Sequence, residues 1–347
     1  SVTEKTVAPP SGDPHDYMSL SIYWWPDSSK PDGLPYLQRD GQINPQATDM
    51  SRYDGAKIVR MVGSVETLAL AGFLTGENSY SEAAARWLRV WFLEEATRMN
   101  PSMRFAQIIP GRTEPRGTGI IESRQLMRVV DAALLLEGTP AWPAADHAAL
   151  RAWFGRLVDW LLESTQGQME GRAANNHGTW YDAQVADFAL FAGRADVAKD
   201  TLAQVGAKRA AKQIADDGRQ PLELARTRSF HYSVFNLLAL AVLGDLGDRL
   251  GVDVWRGSAR IQGGIDFLTP YRDGTNAWPH PELKDVDYGA ELAPILARAA
   301  RAYPEAGYDR MLTSLSAKQS ALGALKLRLG VFGSLGGTAS APPPWAV

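Results

Sequence analysis

The feature that most constrains the fold of this 347-residue chain is a helical spacing of apolar residues that recurs from residue 54 almost to the end. In the clearest example, apolar side chains follow the i, i+3, i+4, i+7, i+8 rule of an amphipathic helix. They are Leu150, Trp153, Phe154, Leu157, Val158, Leu161 and Leu162. The sequence shows no convincing alternation of apolar and polar residues, which is the pattern of a half-buried strand. The chain is therefore predicted to be all-α.

Comparable patterns divide the chain into about ten helices, joined by short turns that contain Gly or Pro. The predicted ranges are 55–74, 80–98, 120–137, 146–162, 180–193, 195–216, 229–246, 253–268, 288–302 and 306–325. Short connections favour antiparallel neighbours. Such a string of helical hairpins fits a ring or a partial ring, and no solenoid repeat of fixed period is visible.

Residues 1–53 have a different character, with seven prolines and little periodicity. This composition predicts an irregular N-terminal arm that packs on a helical body spanning residues 54–330. In the arm, Trp24 and Trp25 are adjacent, and neighbouring residues of an extended chain point to opposite sides. Each ring is a candidate either for a core anchor or for a platform that stacks on a sugar. Residues 331–347 are rich in Gly and Pro and predict an irregular C-terminal tail.

Composition excludes several classes of function. The chain has 36 basic and 39 acidic residues, so its net charge of −3 gives no electrostatic case for binding nucleic acid. It has no cysteine, which excludes disulfides and thiolate chemistry. The longest strongly apolar run, Leu237 to Leu243, is far shorter than the ~20 residues that span a bilayer, so we expect no membrane insertion. We also expect a monomer.

The richest polar cluster, at residues 173–182, lies between two apolar helical patterns. Its sequence is Ala-Ala-Asn-Asn-His-Gly-Thr-Trp-Tyr-Asp, so amides, imidazole, hydroxyl, indole, phenol and carboxylate fall close together. A segment that only turned the chain would need one or two such groups. Asn175 or Asn176 also suits a helix N-cap. The alternative interpretation is therefore a capped helix start with a core Trp.

A second cluster, residues 222–232, directly precedes an apolar helix and contains Arg226 and Tyr232. These two residues are six positions apart and would not align on a continuous helix, so a break near residues 227–229 is needed for both to face one cleft. Two loops add candidates. The segment 107–124 carries Arg112 and Arg116, whose guanidinium groups suit carboxylates, and the segment 278–282 forms a rigid loop at the edge of a cleft.

Together these motifs resemble the alginate lyase superfamily of polysaccharide lyases. The resemblance rests on residues 175–181, 221–226 and 231–232, and the arm segments 15–19 and 23–27 reinforce it. It is similar to polysaccharide lyase family 5 in catalytic layout, and to family 38, which includes glucuronan and alginate lyases, in the Tyr-Trp-Trp-Pro-Asp segment. The resemblance implies an incomplete (α/α) toroid whose central cleft binds an anionic polysaccharide, a polyuronate, in the periplasm or outside the cell.

The resemblance also implies residue roles. Asn176, His177 and Arg226 correspond to the groups that neutralise the substrate carboxylate, and Tyr232 corresponds to the catalytic tyrosine. Arg228 remains a rival for the arginine role, because the Arg and Tyr of family 5 are one residue further apart. The candidate substrate-binding residues are Trp24, Trp25, Gln107, Arg112, Arg116, Asn175, Trp180, Arg228, His231, Trp278 and His280.

These residue types suit β-elimination on a 4-linked uronate, with glucuronan and mannuronate-rich alginate as the expected substrates. Donors placed where charge develops on the C6 carboxylate supply the main catalytic term. Tyr232 can act as base and acid, and His177 becomes the natural base when H5 and O4 lie on opposite faces. This scheme needs neither a metal nor another cofactor.

Two other classes of function stay open. An inverting glycoside hydrolase would need two carboxylates about 6.5–9.5 Å apart, and the available groups are Glu114, Glu122, Asp182 and Glu223. A non-catalytic glycan-binding protein could instead hold sugars with its tryptophans.

Overall fold

The apolar periodicities form the predicted helices in the computed structural model, which describes residues 1–316. The helices are α1 (Gly55–Thr75), α2 (Asn78–Leu88), α3 (Met127–Leu136), α4 (Ala144–Glu163), α5 (Thr165–Gly171), α6 (Asn176–Phe191), α7 (Ala195–Val205), α8 (Ala211–Gln213), α9 (Pro221–Leu224), α10 (Ser229–Leu250), α11 (Ala259–Leu268), α12 (Tyr288–Ala302) and α13 (Tyr308–Ser316). A 3₁₀ helix, Thr118–Leu126, leads into α3.

The helices form successive hairpins around a ring. Helices α1, α3, α6, α10 and α12 each pack on the next member of this series and form an inner layer. Helices α2, α4, α7, α11 and α13 pack against them from outside. Extensive packing of α12 on α1 is absent from residues 1–316, so the ring formed by those residues is not closed. This arrangement is the predicted incomplete (α/α) toroid.

Two of these helices, α1 and α10, are long and apolar enough to cross a membrane by length and composition alone. In α10, 72% of the apolar window is buried inside the protein, as expected of a helix at the centre of a toroid. Helix α10 is therefore a core element of the fold.

The N-terminal arm contains short strands, whereas the sequence predicted none. Strand β1 (Met18–Leu20) pairs in parallel with β4 (Phe105–Ile108), and β2 (Trp24–Trp25) pairs antiparallel with β3 (Leu37–Gln38). Strands of two to four residues are too short to show an alternating pattern. The β1–β4 pair ties the arm to the segment that precedes the 3₁₀ helix, whereas the β2–β3 pair lies within the arm.

A buried ion pair fastens the beginning of the arm to the start of α1. Lys5 Nζ lies 3.0 Å from Asp54 Oδ2, and both side chains are almost completely buried. The same oxygen accepts a hydrogen bond from the Met18 backbone N–H at 3.0 Å. Because removal of either charge would leave the other one buried without a partner, this pair fixes where the arm meets the toroid.

Several predicted boundaries were wrong. The 80–98 helix ends at Leu88 and continues only as a π turn to Leu93, and the 253–268 helix begins at Ala259. Helices α5 and α9 were not predicted. The end of the 306–325 helix, the boundary at residue 330 and the 331–347 tail lie outside the described residues.

Candidate active site

The candidate site lies where the N-termini of α6 and α10 meet the N-terminal arm. Asn176, the first residue of α6, hydrogen-bonds to Glu223 of α9. Tyr232, in the first turn of α10, contacts Tyr23 of the arm through the two hydroxyl groups. Four chain segments that are distant in sequence therefore contribute to one group of polar side chains.

Hydrogen bonds from Arg209 hold the first turn of α6 in place. Its guanidinium donates to both carboxylate oxygens of Asp182, at 2.7 and 2.9 Å, and to the carbonyl oxygens of Gly171 and Ala173, both at 2.8 Å. A Cβ atom at Gly178 would lie 2.2 Å from the Ala173 carbonyl oxygen and 2.2 Å from Arg209 Nη1. Glycine is therefore required in this turn by close packing.

Asn175 is the helix N-cap, as the sequence suggested. Its Oδ1 accepts a hydrogen bond of 3.3 Å from the His177 backbone N–H. This cap leaves the next residue, Asn176, free to point inward. The polar cluster at residues 173–182 is thus partly structural, and Asn176 and His177 are the members that reach the site.

Asn176 and Glu223 are joined by two hydrogen bonds. The Asn176 backbone N–H donates to Glu223 Oε1, and Asn176 Nδ2 donates to Oε2, each at 2.7 Å. Both residues are buried, with 1% and 2% of their surface exposed. Burial raises the pKa of Glu223, although the two donors from Asn176 act in the opposite direction. Asn176 Oδ1 has no hydrogen-bond partner within residues 1–316.

His177 is oriented by a buried carboxylate. Its Nδ1 lies 2.6 Å from Glu170 Oε1, and the Glu170 side chain is 4% exposed. A hydrogen bond at one ring nitrogen sets the tautomer and orientation of an imidazole. Because Nδ1 is occupied in this way, Nε2 is the nitrogen left for chemistry.

The break predicted near residues 227–229 is confirmed, because α9 ends at Leu224 and α10 begins at Ser229. It brings Arg226 over Tyr232, with the guanidinium carbon 3.6 Å from the centre of the phenol ring. Arg226 also forms a two-pronged salt bridge with Asp40 of the arm, at 3.1 and 2.6 Å. Burial alone would lower the pKa of Arg226, but the hydrogen bond to Asp40 and the charges of Tyr232, Asp40 and Glu223 together outweigh it, and the pKa is raised.

The Tyr232 hydroxyl lies 2.9 Å from the Tyr23 hydroxyl. Burial is the main reason why the pKa of Tyr232 is raised, and the hydrogen bond to Tyr23 adds to it, while the Arg226 charge opposes the shift. The phenol is therefore protonated at neutral pH.

Sequence reasoning missed Tyr23 and Asp40 as site residues. Tyr23 belongs to the Tyr-Trp-Trp-Pro-Asp segment, so that motif could have drawn attention to it. Asp40 carries no such signal. It reaches Arg226 because the next residue is Gly41, where a Cβ atom would come within 2.6 Å of Thr227 Oγ1.

Two arginines of the 107–124 segment lie against the Trp24 ring of the arm. The guanidinium carbons of Arg112 and Arg116 lie 4.7 and 5.6 Å from the centre of the Trp24 ring. Arg116 Nη1 donates to the Gln107 carbonyl oxygen at 3.2 Å, and Gln107 has a left-handed backbone with φ of 51°. The neighbouring Trp25 bonds to the Gln42 carbonyl oxygen at 2.9 Å. Gln107, Arg112, Arg116 and Trp24 thus form one group.

The remaining predicted residues are distributed around the start of α10. Arg228 lies 4.0 Å from Glu282 and 3.9 Å from Glu291, so it is directed away from the Arg226–Asp40 pair. His231 Nδ1 lies 3.1 Å from Glu291 Oε2.

Trp278 and His280 belong to an aromatic cluster beside the N-terminus of α10. Their ring centres are 5.0 Å apart, and Trp278 also packs edge-on against Phe230 and Tyr271. The Trp278 indole N–H donates to Ser229 Oγ at 2.7 Å. Trp278 therefore has a packing role at the start of this helix.

Trp180 is a predicted substrate-binding residue whose ring lies in the core, so its contact with substrate stays a prediction. Only 4% of this residue is exposed, because α6 is surrounded on nearly every side by other helices. The Trp180 ring packs against Phe235, with ring centres 5.0 Å apart. It therefore supports the wall of the site from within the core.

Comparisons with known proteins agree with this geometry. A family model described as alginate lyase matches residues 1–278. The solved structure of an alginate lyase from Bacteroides ovatus superposes with a TM-score of 0.90 and 38% sequence identity, over 95% of this chain and 88% of that chain. No curated protein matches the sequence.

Proposed function

The chain belongs to the alginate lyase family and is a polysaccharide lyase, and from this premise we propose that it cleaves a 4-linked polyuronate. The leading substrates are mannuronate-rich alginate and glucuronan. The similarity to the alginate lyase from Bacteroides ovatus, at 38% sequence identity, favours alginate as the first polymer to test.

The observation that carries this proposal is the position of Arg226 over the Tyr232 ring, at 3.6 Å, beside the Tyr23 hydroxyl. A protonated phenol of raised pKa is suited to donate a proton to the leaving O4 of the sugar. The nearby guanidinium would stabilise the phenolate that remains. Tyr232 is therefore the proposed general acid.

In the proposed reaction a base removes H5, the electron pair forms the C4–C5 double bond, and the C4–O4 bond breaks. Tyr232 delivers a proton to O4. Donors near the C6 carboxylate stabilise the charge that develops on it during the reaction. We assign this task to His177, Asn176 and Arg226, of which Asn176 is the most deeply buried.

The identity of the base depends on the sugar. Glucuronate and mannuronate have the same configuration at C4 and C5, so H5 and O4 lie on one face. Once its own proton has passed to solvent, Tyr232 can serve both steps as a phenolate stabilised by the Arg226 charge: it takes H5 and then gives that proton to O4, which regenerates the phenolate. Guluronate is the C5 epimer of mannuronate and places H5 on the opposite face. There, His177 Nε2 is the proposed base, because Glu170 occupies Nδ1.

A near-ultraviolet assay of the 4,5-unsaturated product on polymannuronate, polyguluronate, glucuronan, hyaluronan and polygalacturonate tests the proposal. We expect Tyr232→Phe to lower turnover by at least ~10²-fold while the protein stays folded, because the ring remains but the proton carrier is lost. His177→Gln should impair cleavage of polyguluronate more than that of polymannuronate. Activity confined to other polymers, or near-normal turnover by Tyr232→Phe, would contradict the assignment.

A further inference from the structure

Arg124 is a cation for which the mechanism above has no use. It lies near the end of the 3₁₀ helix Thr118–Leu126 and is half-buried. Its guanidinium carbon lies 5.0 Å from the centre of the Phe235 ring and 5.9 Å from the centre of the Trp180 ring. Nη1 donates to the Ile121 carbonyl oxygen at 2.9 Å. Within residues 1–316, Arg124 forms no salt bridge.

The two arginines that directly precede α10 have their charges compensated. Arg226 is paired with Asp40, and Arg228 lies within 4.0 Å of Glu282 and Glu291. The carboxyl group that acts most strongly on Arg124 is that of Glu122. Glu122 Oε2, however, accepts hydrogen bonds from Tyr17 at 2.8 Å and Ser19 at 2.5 Å. Glu122 is therefore occupied by hydrogen bonds from the arm, and the Arg124 guanidinium has no carboxylate partner within residues 1–316.

The two rings that hold Arg124 locate it relative to the catalytic groups. Trp180 follows Asn176 by four residues on α6, and Phe235 follows Tyr232 by three residues on α10. Residues at these spacings are neighbours on one face of a helix, one turn or about 5 Å apart. Arg124 thus lies between the two inner helices, one turn further into the toroid than Asn176 and Tyr232.

We propose that Arg124 binds the carboxylate of a uronate in the cleft, and this inference rests on the proposed function. A guanidinium partly removed from water binds a carboxylate through two parallel hydrogen bonds. The aromatic rings hold its charge in place without neutralising it. An incoming anionic sugar therefore meets an unpaired positive charge at Arg124, whereas binding at Arg226 requires sharing that residue with Asp40.

Arg124→Met tests the proposal, because methionine keeps apolar contact with both rings and removes the charge. We expect KM for the preferred polyuronate to rise by roughly 10- to 100-fold, as for the loss of a hydrogen-bonded charge pair. The matched control is Arg104→Met, which removes an exposed arginine stacked on Phe105 and should change KM less than twofold. A folded Arg124→Met protein with unchanged KM would overturn the inference.

Two further measurements separate the possible failures. If Arg124→Met does not fold, Arg124→Lys replaces it as the test. Lysine keeps the charge but loses the two parallel N–H donors of the guanidinium, so KM should rise several-fold. Calorimetric titration of a uronate tetramer into Tyr232→Phe, with and without Arg124→Met, should show the same loss of affinity without turnover; equal affinities refute the inference. A wild-type protein that cleaves no polyuronate would instead refute the proposed function, and the inference with it.

Discussion

Arg226 is held between a carboxylate and a phenol that are far apart in the sequence. Asp40 of the arm and Tyr232 of α10 are 192 residues apart, yet both contact the same guanidinium. The salt bridge holds the guanidinium over the Tyr232 ring, so the arm contributes to the electrostatic environment of the proposed acid. Asp40 is therefore a positioning residue that acts through Arg226.

This arrangement predicts a stability effect that depends on pH. Burial would raise the pKa of Asp40, but the hydrogen bond and the charge of Arg226, together with hydrogen bonds from Thr227, outweigh it and lower the pKa below the ordinary 3.8. The stabilisation that Asp40 provides is therefore present above pH 3.8 and is lost as pH falls through the lower folded pKa. Asp40→Asn should cost about 1–3 kcal/mol of unfolding free energy at pH 7, and the difference should shrink toward pH 3.

Urea unfolding at pH 7 and pH 3 measures this effect. The control is Asp217→Asn, which removes the carboxylate of an exposed pair with Arg219 and should change the unfolding free energy much less, because solvent screens the pair. Asp40→Asn should also lower kcat, because Arg226 loses its orientation over Tyr232. Equal losses of unfolding free energy for Asp40→Asn and Asp217→Asn at pH 7 would show that Asp40 acts only as a surface charge.

The sequence identified Arg226 as a site residue but did not identify its salt-bridge partner, Asp40. Arg226, Tyr232, Asn176 and His177 lie in motifs, so a resemblance could name them. Asp40 has no recognisable context, because its function follows from a contact with a residue 186 positions away. Arg124 lies at the end of the 107–124 segment. That it has no carboxylate partner within residues 1–316 is visible only in the structure.

At the scale of elements, the start of α6 is the part of the fold on which the site most depends. Asn175 caps the helix, Arg209 braces its first turn, and Gly178 leaves room for both the guanidinium and the Ala173 carbonyl. Any displacement of this turn moves Asn176 and His177 together. Packing behind the helix is thus coupled directly to the geometry of the site.

Gly178→Ala tests this coupling. The added Cβ would lie 2.2 Å from two heavy atoms, so we expect a loss of about 1–3 kcal/mol of stability from overpacking and a lower kcat. Gly63→Ala is the matched control, since Gly63 lies inside α1 with no heavy atom within 4 Å of the added Cβ. There, alanine should stabilise the protein by roughly 0.5–1 kcal/mol through its helix propensity and leave kcat unchanged. Thermal unfolding and initial rates distinguish the two; similar effects of both changes would contradict the coupling.

Long elements were predictable from the sequence, and short ones were not. Helices such as α4 and α10 contain several turns, so their apolar stripes are plain. Helix α9 has four residues and β2 has two, which is less than the span needed to recognise a period. These short elements are the ones that place Glu223 and Trp24 at the site, so much of the site geometry could not be predicted from periodicity.

At the scale of the whole molecule, the toroid separates the proposed catalytic groups from a second group of charges. The site uses the N-terminal ends of α6 and α10. Asp187 lies on α6 eleven residues after Asn176, about 16 Å along the helix. It is 9% exposed, and its Oδ2 has no hydrogen-bond partner within residues 1–316. A charge this far along the helix influences the stability of the fold but is too distant to contact a substrate at Tyr232.

Burial raises the pKa of Asp187 well above the ordinary 3.8, the neighbouring Asp131 adds to the shift, and Arg249 opposes it. The folded protein therefore favours the protonated carboxyl. Its contribution to stability is complete below pH 3.8 and is lost as pH rises toward the raised folded pKa. Asp187→Asn imitates the protonated group at every pH. We expect it to be more stable than the wild-type protein at pH 8 by about 1–3 kcal/mol, with little difference at pH 4 and unchanged kcat.

Asp245→Asn provides a control of opposite sign on the neighbouring helix α10. Asp245 is paired with Arg298 at 2.6 Å and with Arg301 at 3.0 Å, so removing its charge should destabilise the protein at pH 8. Urea unfolding of the three proteins at pH 4 and pH 8 gives the comparison. If Asp187→Asn is the less stable protein at pH 8, the Asp187 carboxylate is ionised and compensated in the fold. The interior of the toroid would then hold its charges by pairing, and not by keeping this carboxyl neutral.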